Sequence, residues 1–115
     1  MQDLKERTFN FAVNVIELLN TLDENRISRI IVTQLAKSAT SVGANYEESQ
    51  GTLSKKEYYL KIGICLKEVR ESNFWLRIIS TQNWASDIEK LDSAFNESEK
   101  LKLIYGKIFS QRTKS

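Results

Sequence analysis

Two pairs of closely spaced carboxylates are the residues of this sequence that come nearest to supporting chemistry. Glu47 and Glu48 are adjacent, and Glu68 and Glu71 lie one helical turn apart, so either pair would suit acid–base work or a hard cation. Basic residues are predicted to surround the second pair, namely Lys37, Lys67 and Arg70. Ion pairing is therefore the expected state of Glu68 and Glu71, rather than metal binding.

The lack of histidine and the single cysteine exclude most familiar active sites. The sequence has no histidine and one cysteine, Cys65, which rules out Cys/His zinc sites, a Ser/His/Asp triad and a Glu-x-x-His diiron centre. We therefore predict no cofactor, no metal and no enzymatic activity. A lone cysteine fits a reducing compartment, and the sequence shows neither a secretory leader nor a bilayer-spanning apolar run, so a cytoplasmic protein without a membrane segment is expected.

The elements that must position these residues are helices. The 115 residues include no proline and four glycines, too few turn formers for many short strands, and apolar residues recur at three- and four-residue steps. Asp3, Asn25, Ser54 and Ser86 are predicted N-caps. Residues 1–115 therefore form one predicted all-α domain, an up-down-up-down antiparallel four-helix bundle, with helices at about 3–22, 26–49, 55–81 and 87–110.

Small and polar residues between Gln34 and Gly51 occupy positions where a plain bundle would carry leucine or isoleucine. If helices two and three form a hairpin around residues 51–53, Lys37 lies near Glu68, Gln34 near Glu71, and Glu48 near Tyr58 and Lys61. We predict an interhelix polar lock of Gln34, Lys37, Asn45, Glu48, Glu68 and Glu71, which fixes register more than it adds stability. Ser38 and Ser41 have a plainer alternative, which is hydrogen bonding to carbonyls one turn earlier.

The segment from Gln34 to Ile79 resembles the bacterial 23S rRNA intervening-sequence protein family. The matching positions are Gln34, Lys37, Ser41, Ala44, Asn45, Glu48, Ser54, Glu57, Tyr58, Glu68 and Glu71. The sequence departs from the family pattern at Lys37, where many members have arginine, at Gly43, which replaces a common proline, and at Ser49, where many have glycine.

The resemblance implies a small up-down bundle that assembles into a ring, a homopentamer, without known catalytic activity. The family also resembles the accessory protein of diversity-generating retroelements, a more basic pentameric bundle that binds reverse transcriptase and nucleic acid. Self-association and nucleic-acid binding are thus the two expectations that the resemblance adds.

Apolar faces on helices one and three are wider than one four-helix core needs, which also predicts self-association. Phe9 and Ile16 widen helix one, while Leu60, Phe74 and Trp75 widen helix three. A flattened bundle with a larger monomer core is the alternative.

The basic residues decide between two kinds of external partner. The net charge is only +2, yet residues 100–115 carry five cations and no acid, and a ring would multiply that field. Acids interleave with the cations of helix three, which is typical of a solvated face. We predict a homo-oligomeric binding or scaffold protein; the alternative is a nucleic-acid-associated protein, with contacts from Lys55, Lys56, Lys61, Lys67, Arg70, Arg77, Lys100, Lys102, Lys107, Arg112 and Lys114.

Overall fold

Four α-helices form at nearly the predicted positions. The computed structural model describes residues 3–114, and within that range α1 spans Leu4–Leu19, α2 Arg26–Ser49, α3 Lys55–Thr81 and α4 Ile88–Ser110, followed by a 3₁₀ turn at Gln111–Thr113. The predicted all-α class is confirmed.

Three of the four predicted N-caps are confirmed. The side chains of Asp3 and Ser54 each accept a hydrogen bond from the amide three residues further along, at 2.8 and 3.1 Å. Asn25 forms a reciprocal capping box with Ser28, because each side chain accepts from the other residue's amide, at 2.9 and 2.8 Å. These bonds satisfy amides that the first turn leaves unpaired.

Two boundaries differ from the prediction. Ser86 does not cap α4; the carboxylate of Asp87 accepts from the amide of Lys90 at 3.1 Å instead, and a negative charge is favourable at a helix N-terminus. α1 ends at Leu19 rather than at residue 22, because the amides of Thr21 and Leu22 bond the carbonyls three residues back, at 3.0 and 3.3 Å, instead of those four residues back. Leu22 is still buried in the core.

The end of α3 turns the chain back toward the core. Asn83 has a φ of 57°, a left-handed conformation that asparagine tolerates better than most residues. Its amide bonds the Ser80 carbonyl at 3.2 Å, and the amide of Trp84 bonds the Ile79 carbonyl at 3.3 Å. This pair of bonds is a Schellman motif, and it lets Trp84 pack against the core.

Successive helices pack antiparallel, and α1 also packs against α4, which closes the bundle. The fully buried side chains at its centre come from every helix, for example Phe11, Leu35, Ile62 and Leu101. Within residues 3–114, no helix is both long and apolar enough to cross a bilayer. The up-down-up-down arrangement of the sequence prediction is therefore confirmed.

One buried hydrogen bond joins the first helix to the last. The Thr8 and Tyr105 hydroxyls lie 2.7 Å apart, and both residues are fully buried. Burial is the main cause that raises the pKa of the Tyr105 phenol, while the bond to Thr8 opposes that rise. Each hydroxyl therefore supplies the hydrogen-bond partner without which burial of the other would be unfavourable.

Removing one hydroxyl of this pair should cost more than removing both. Thr8→Val leaves the Tyr105 hydroxyl buried without a partner, which we expect to destabilise the protein by about 1–3 kcal/mol. The double variant Thr8→Val with Tyr105→Phe should recover part of that loss. Urea unfolding of the two single variants and the double variant measures the coupling, and strictly additive losses would contradict this account.

Candidate functional site

Close contacts between α2 and α3 set the geometry of the predicted polar region. The hydroxyls of Ser38 and Ser72 lie 2.8 Å apart, and Lys61 Nζ lies 2.7 Å from Glu48 Oε1. The Glu48–Lys61 pair is the one contact of the predicted interhelix lock that the structure brings together as an ion pair. The two helices thus meet with Glu48 level with Lys61 and Ser38 level with Ser72.

The other two pairs predicted for that lock form no direct polar contact. No ion pair or hydrogen bond among residues 3–114 joins Lys37 to Glu68 or Gln34 to Glu71. Burial, followed by the charge of Glu71, raises the pKa of Glu68, while Lys67 and Lys37 lower it. Lys37 is therefore close enough for its charge to act on Glu68, although the two groups form no ion pair.

The amide of Asn45 is used within its own helix. It is half-buried, and its Nδ2 donates to the Ser41 carbonyl at 2.9 Å. Ser38, for which back-bonding was the alternative, bonds the Leu35 carbonyl at 3.3 Å in addition to Ser72. The serine pair, rather than Asn45, makes the buried polar contact between α2 and α3.

Two polar contacts that anchor α4 were not foreseen. Arg7 donates two hydrogen bonds to Glu97, both at 2.8 Å, and this bond to Glu97 is the main cause that raises the pKa of Arg7. Asn73 donates to the Ser98 hydroxyl at 2.9 Å in a buried site. The one sequence signal was that Asn73 falls at a core position of the α3 repeat, where an amide needs a partner.

Three sequence-predicted cations of α3 lie on the side that faces α4, whereas Lys61 faces α2. Lys56, Gly63, Arg70 and Arg77 are spaced by seven residues, so they form one stripe along the helix. The Phe109 ring of α4 lies directly over Gly63, which places this stripe along the border with α4. We call Lys56, Arg70 and Arg77, with the neighbouring Lys67, the basic stripe.

Two acids of α3 lie toward α2 instead. Glu68 follows Lys61 by seven residues, and Lys61 contacts Glu48 of α2. Glu71 is three residues further along and half-buried. On the outer face of α3 the basic stripe thus lies toward α4, and Glu68 and Glu71 lie toward α2.

The remaining predicted cations divide into engaged and unengaged groups. Lys102 pairs with Glu99 at 2.9 Å, Lys55 donates to the Lys114 carbonyl at 2.9 Å, and Arg112 lies over the Phe109 ring at 4.0 Å. Lys114 is exposed. Six more of these cations are exposed and have no recorded ion pair or hydrogen bond with another side chain of 3–114, namely Lys56, Lys67, Arg70, Arg77, Lys100 and Lys107.

Exposed apolar side chains cluster where α2 begins and α3 ends. Ile27 and Ile30 of α2 are exposed, as is Phe74 of α3, whose ring packs edge-on against Trp75 at 5.1 Å. Continued along the helices, the register set by Ser38 with Ser72 and Glu48 with Lys61 places Ile30 beside the turn of α3 that contains Ile78. We call Ile27, Ile30, Phe74, Trp75 and Ile78 the apolar patch.

The one cysteine of the sequence lies in the core. Cys65 is fully buried, donates to the Val42 carbonyl at 3.4 Å, and burial raises its pKa to about 12. Its thiol therefore stays protonated at neutral pH. Within residues 3–114, no three metal-ligating side chains of His, Cys, Asp or Glu lie together.

Glu68→Gln should stabilise the protein at neutral pH. Because the folded-state pKa of Glu68 is raised, its favourable contribution exists at acidic pH and is lost as pH rises through that folded pKa. Glutamine mimics the protonated form, so the gain in urea midpoint should appear at pH 7 and vanish near pH 4. Glu97→Gln is the matched control and should lose about 1 kcal/mol, since it weakens a bidentate pair. Destabilisation by Glu68→Gln at pH 7 would contradict the proposed setting.

Comparison with known proteins agrees with the fold and the motif. A family model described as 23S rRNA-intervening sequence protein matches residues 2–106. The chain is similar to the crystal structure, at 1.70 Å resolution, of a protein with unknown function from the S23 ribosomal protein family of Bacteroides thetaiotaomicron VPI-5482, with a TM-score of 0.83 and 26% identity over 93% of this chain and 98% of that chain. No protein of curated function matches. Since the family model spans most of the sequence, the chain belongs to the 23S rRNA-intervening sequence protein family.

Proposed function

We propose that this protein is a non-enzymatic, self-associating scaffold or binding protein. The observation that carries the proposal is the apolar patch, in which Phe74 is 47% and Ile30 56% exposed. Clustered apolar side chains of this size on a small domain mark interaction surfaces. Burying them against a second copy would gain roughly 25 cal/mol for each Å² removed from water.

Three further observations support binding rather than catalysis. The one thiol of the chain has its pKa raised to about 12 by burial, and the Glu48 carboxylate is engaged by Lys61. The chain also has no histidine, the side chain that most often moves protons at neutral pH. A cytoplasmic location, for which the single reduced cysteine is the support, is part of the same proposal.

The proposed assembly is a closed ring, and the subunit number of five comes from the family resemblance. A ring requires that two different surfaces of each subunit meet. The apolar patch would supply one of those surfaces. Exposed apolar side chains on α1 and at the start of α4 offer candidates for the second, namely Phe9, Ile16 and Ile88.

Charging the apolar patch should dissociate the assembly. We expect Phe74→Glu and Ile30→Glu each to shift sedimentation toward the 13.3 kDa monomer, because a carboxylate buried in an apolar interface has no partner. Leu103→Glu is the matched control, since Leu103 is 75% exposed and lies on α4, away from the patch. A wild-type protein that sediments as a monomer at micromolar concentration would refute the proposal.

Nucleic-acid association is the second candidate, and the basic stripe supports it. Its four cations are exposed, and Glu68 and Glu71 lie further toward α2 on the same outer face of the helix. Arg70 and Arg77 flank the exposed ring of Phe74 along the same helix, and cations beside aromatics suit single-stranded nucleic acid. The net charge of only +2 makes this candidate the weaker one.

A salt series with labelled single-stranded and duplex RNA and DNA tests this candidate. If the stripe contacts phosphates, Lys56→Gln, Arg70→Gln and Arg77→Gln together should flatten the slope of log affinity against log salt by about 0.9 per lost duplex contact. The control removes the same charge elsewhere, with Arg26→Gln, Arg29→Gln and Lys90→Gln. Absence of binding at about 50 mM salt, where counterion release favours it most, would leave the scaffold proposal alone.

A further inference from the structure

A groove of about 770 Å³ lies at the end of the bundle where α3 begins and α4 ends. It is separate from the apolar patch, which lies at the other end of α3. Eight residues line it, namely Ser54, Lys55, Lys56, Glu57, Tyr59, Leu60, Phe109 and Arg112. Its volume suits one or two large side chains with their flanking backbone.

The floor of this groove is apolar, and a glycine shapes it. Leu60 is 63% exposed, and the half-buried rings of Tyr59 and Phe109 lie beside it. A Cβ on Gly63 would stand only 2.8 Å from Phe109 Cε1. Glycine at this position is therefore what allows the Phe109 ring to lie flat along α3 and form a wall.

The rim of the groove is cationic, with Lys55, Lys56 and Arg112 against the single acid Glu57. Arg112 is held in place, because its guanidinium lies 4.0 Å from the Phe109 ring centre and donates to the Phe109 carbonyl at 3.0 Å. Lys55 is held by the Lys114 carbonyl at 2.9 Å. The positive charges are thus positioned around an apolar floor before any ligand binds.

Two polar side chains of the groove other than the cations already accept hydrogen bonds from the chain's own backbone. The Ser54 hydroxyl accepts from the amide of Glu57 at 3.1 Å, and the Glu57 carboxylate accepts from the amide of Leu53 at 3.3 Å. A nucleobase brings polar edges that need hydrogen-bond partners, and this groove offers few. An apolar side chain needs none, and Leu60 provides an aliphatic surface for it.

We infer that this groove binds an acidic peptide segment of a partner protein, with one large apolar side chain seated on Leu60, Tyr59 and Phe109. Carboxylates on either side of that anchor would meet Lys55, Lys56 and Arg112. Apolar burial would supply most of the affinity, and the cations would select acidic over basic segments. The inference rests on the proposed binding role and names the chemistry of the partner.

Fluorescence anisotropy with a labelled octapeptide of sequence DEDFLDED tests the inference. We expect binding to the intact chain that weakens as salt rises. The peptides DEDAADED, which lacks the anchor, and KRKFLKRK, which reverses the charge, should each bind about tenfold or more weakly. Equal binding of the three peptides would overturn the inference.

Variants of the groove should change this affinity in a defined way. Lys56→Glu and Leu60→Ala should each weaken DEDFLDED binding by about tenfold, and both residues are exposed, so the fold should tolerate the changes. Gly63→Ala, which displaces the Phe109 ring without altering charge, should also weaken it. Lys100→Glu is the matched control, an exposed cation outside the groove, and should leave the affinity unchanged.

Two variants distinguish a failure of this inference from a failure of the proposed self-association. Phe74→Glu should change sedimentation and leave peptide affinity per chain unchanged, whereas Lys56→Glu should do the reverse. If the peptide does not bind but labelled single-stranded RNA does, and Lys56→Glu removes that binding, the groove is a nucleic-acid site and the inference is wrong. If Lys56→Glu instead dissociates the protein, the groove is a subunit interface and the inference is equally wrong.

Discussion

The close approach of α2 to α3 is the constraint on which the rest of the surface depends. Ser38 and Ser72 have short side chains, yet their hydroxyls lie 2.8 Å apart, so the two helix backbones must be near one another. The Cys65 thiol reaches the Val42 backbone carbonyl at 3.4 Å, which larger side chains at this contact would prevent. Small residues therefore fix both the separation and the register of this pair.

That register determines which residues of α3 are exposed to solvent. Because the flank with Cys65 and Ser72 is turned to α2 and the flank with Asn73 and Gly63 is turned to α4, one outer face remains. On it, cations border α4 and carboxylates border α2. A rotation of α3 by one residue, about 100°, would bury charged groups, so the serine contact and the charge separation are not independent features.

Local sequence signals were sufficient for most of the fold. Apolar periodicity and capping residues act within a few positions, which is why three N-caps and the helix bounds could be predicted. Leu22 was expected within α1 and lies outside it, because the last amides of α1 change to bonds with the carbonyls three residues back, and the apolar spacing of a buried leucine does not reveal that change. At α4, Ser86 was the predicted cap, but the neighbouring Asp87 carboxylate accepts the hydrogen bond from the first turn instead.

Contacts between helices were only partly predictable. Glu48 and Lys61 lie close to the connecting loop, so a small error in the assumed hairpin centre did not separate them. Further from the loop, the error in the assumed hairpin centre placed Lys37 directly opposite Glu68. Both side chains are long enough to adopt several conformations, and no ion pair forms between them. Thr8 and Tyr105 are 97 residues apart in sequence, and no local pattern signals that contact.

The two candidate interaction surfaces lie at opposite ends of one rigid element. Leu60 and Phe74 are separated by fourteen residues of continuous helix, which is about 21 Å at 1.5 Å per residue. In the proposed ring, contacts through the apolar patch would leave the groove of each subunit open at that distance. Several grooves held by one assembly raise the effective concentration for a partner with repeated acidic segments. Self-association would then strengthen binding without any change in the groove, so the fixed length of α3 links assembly to recognition.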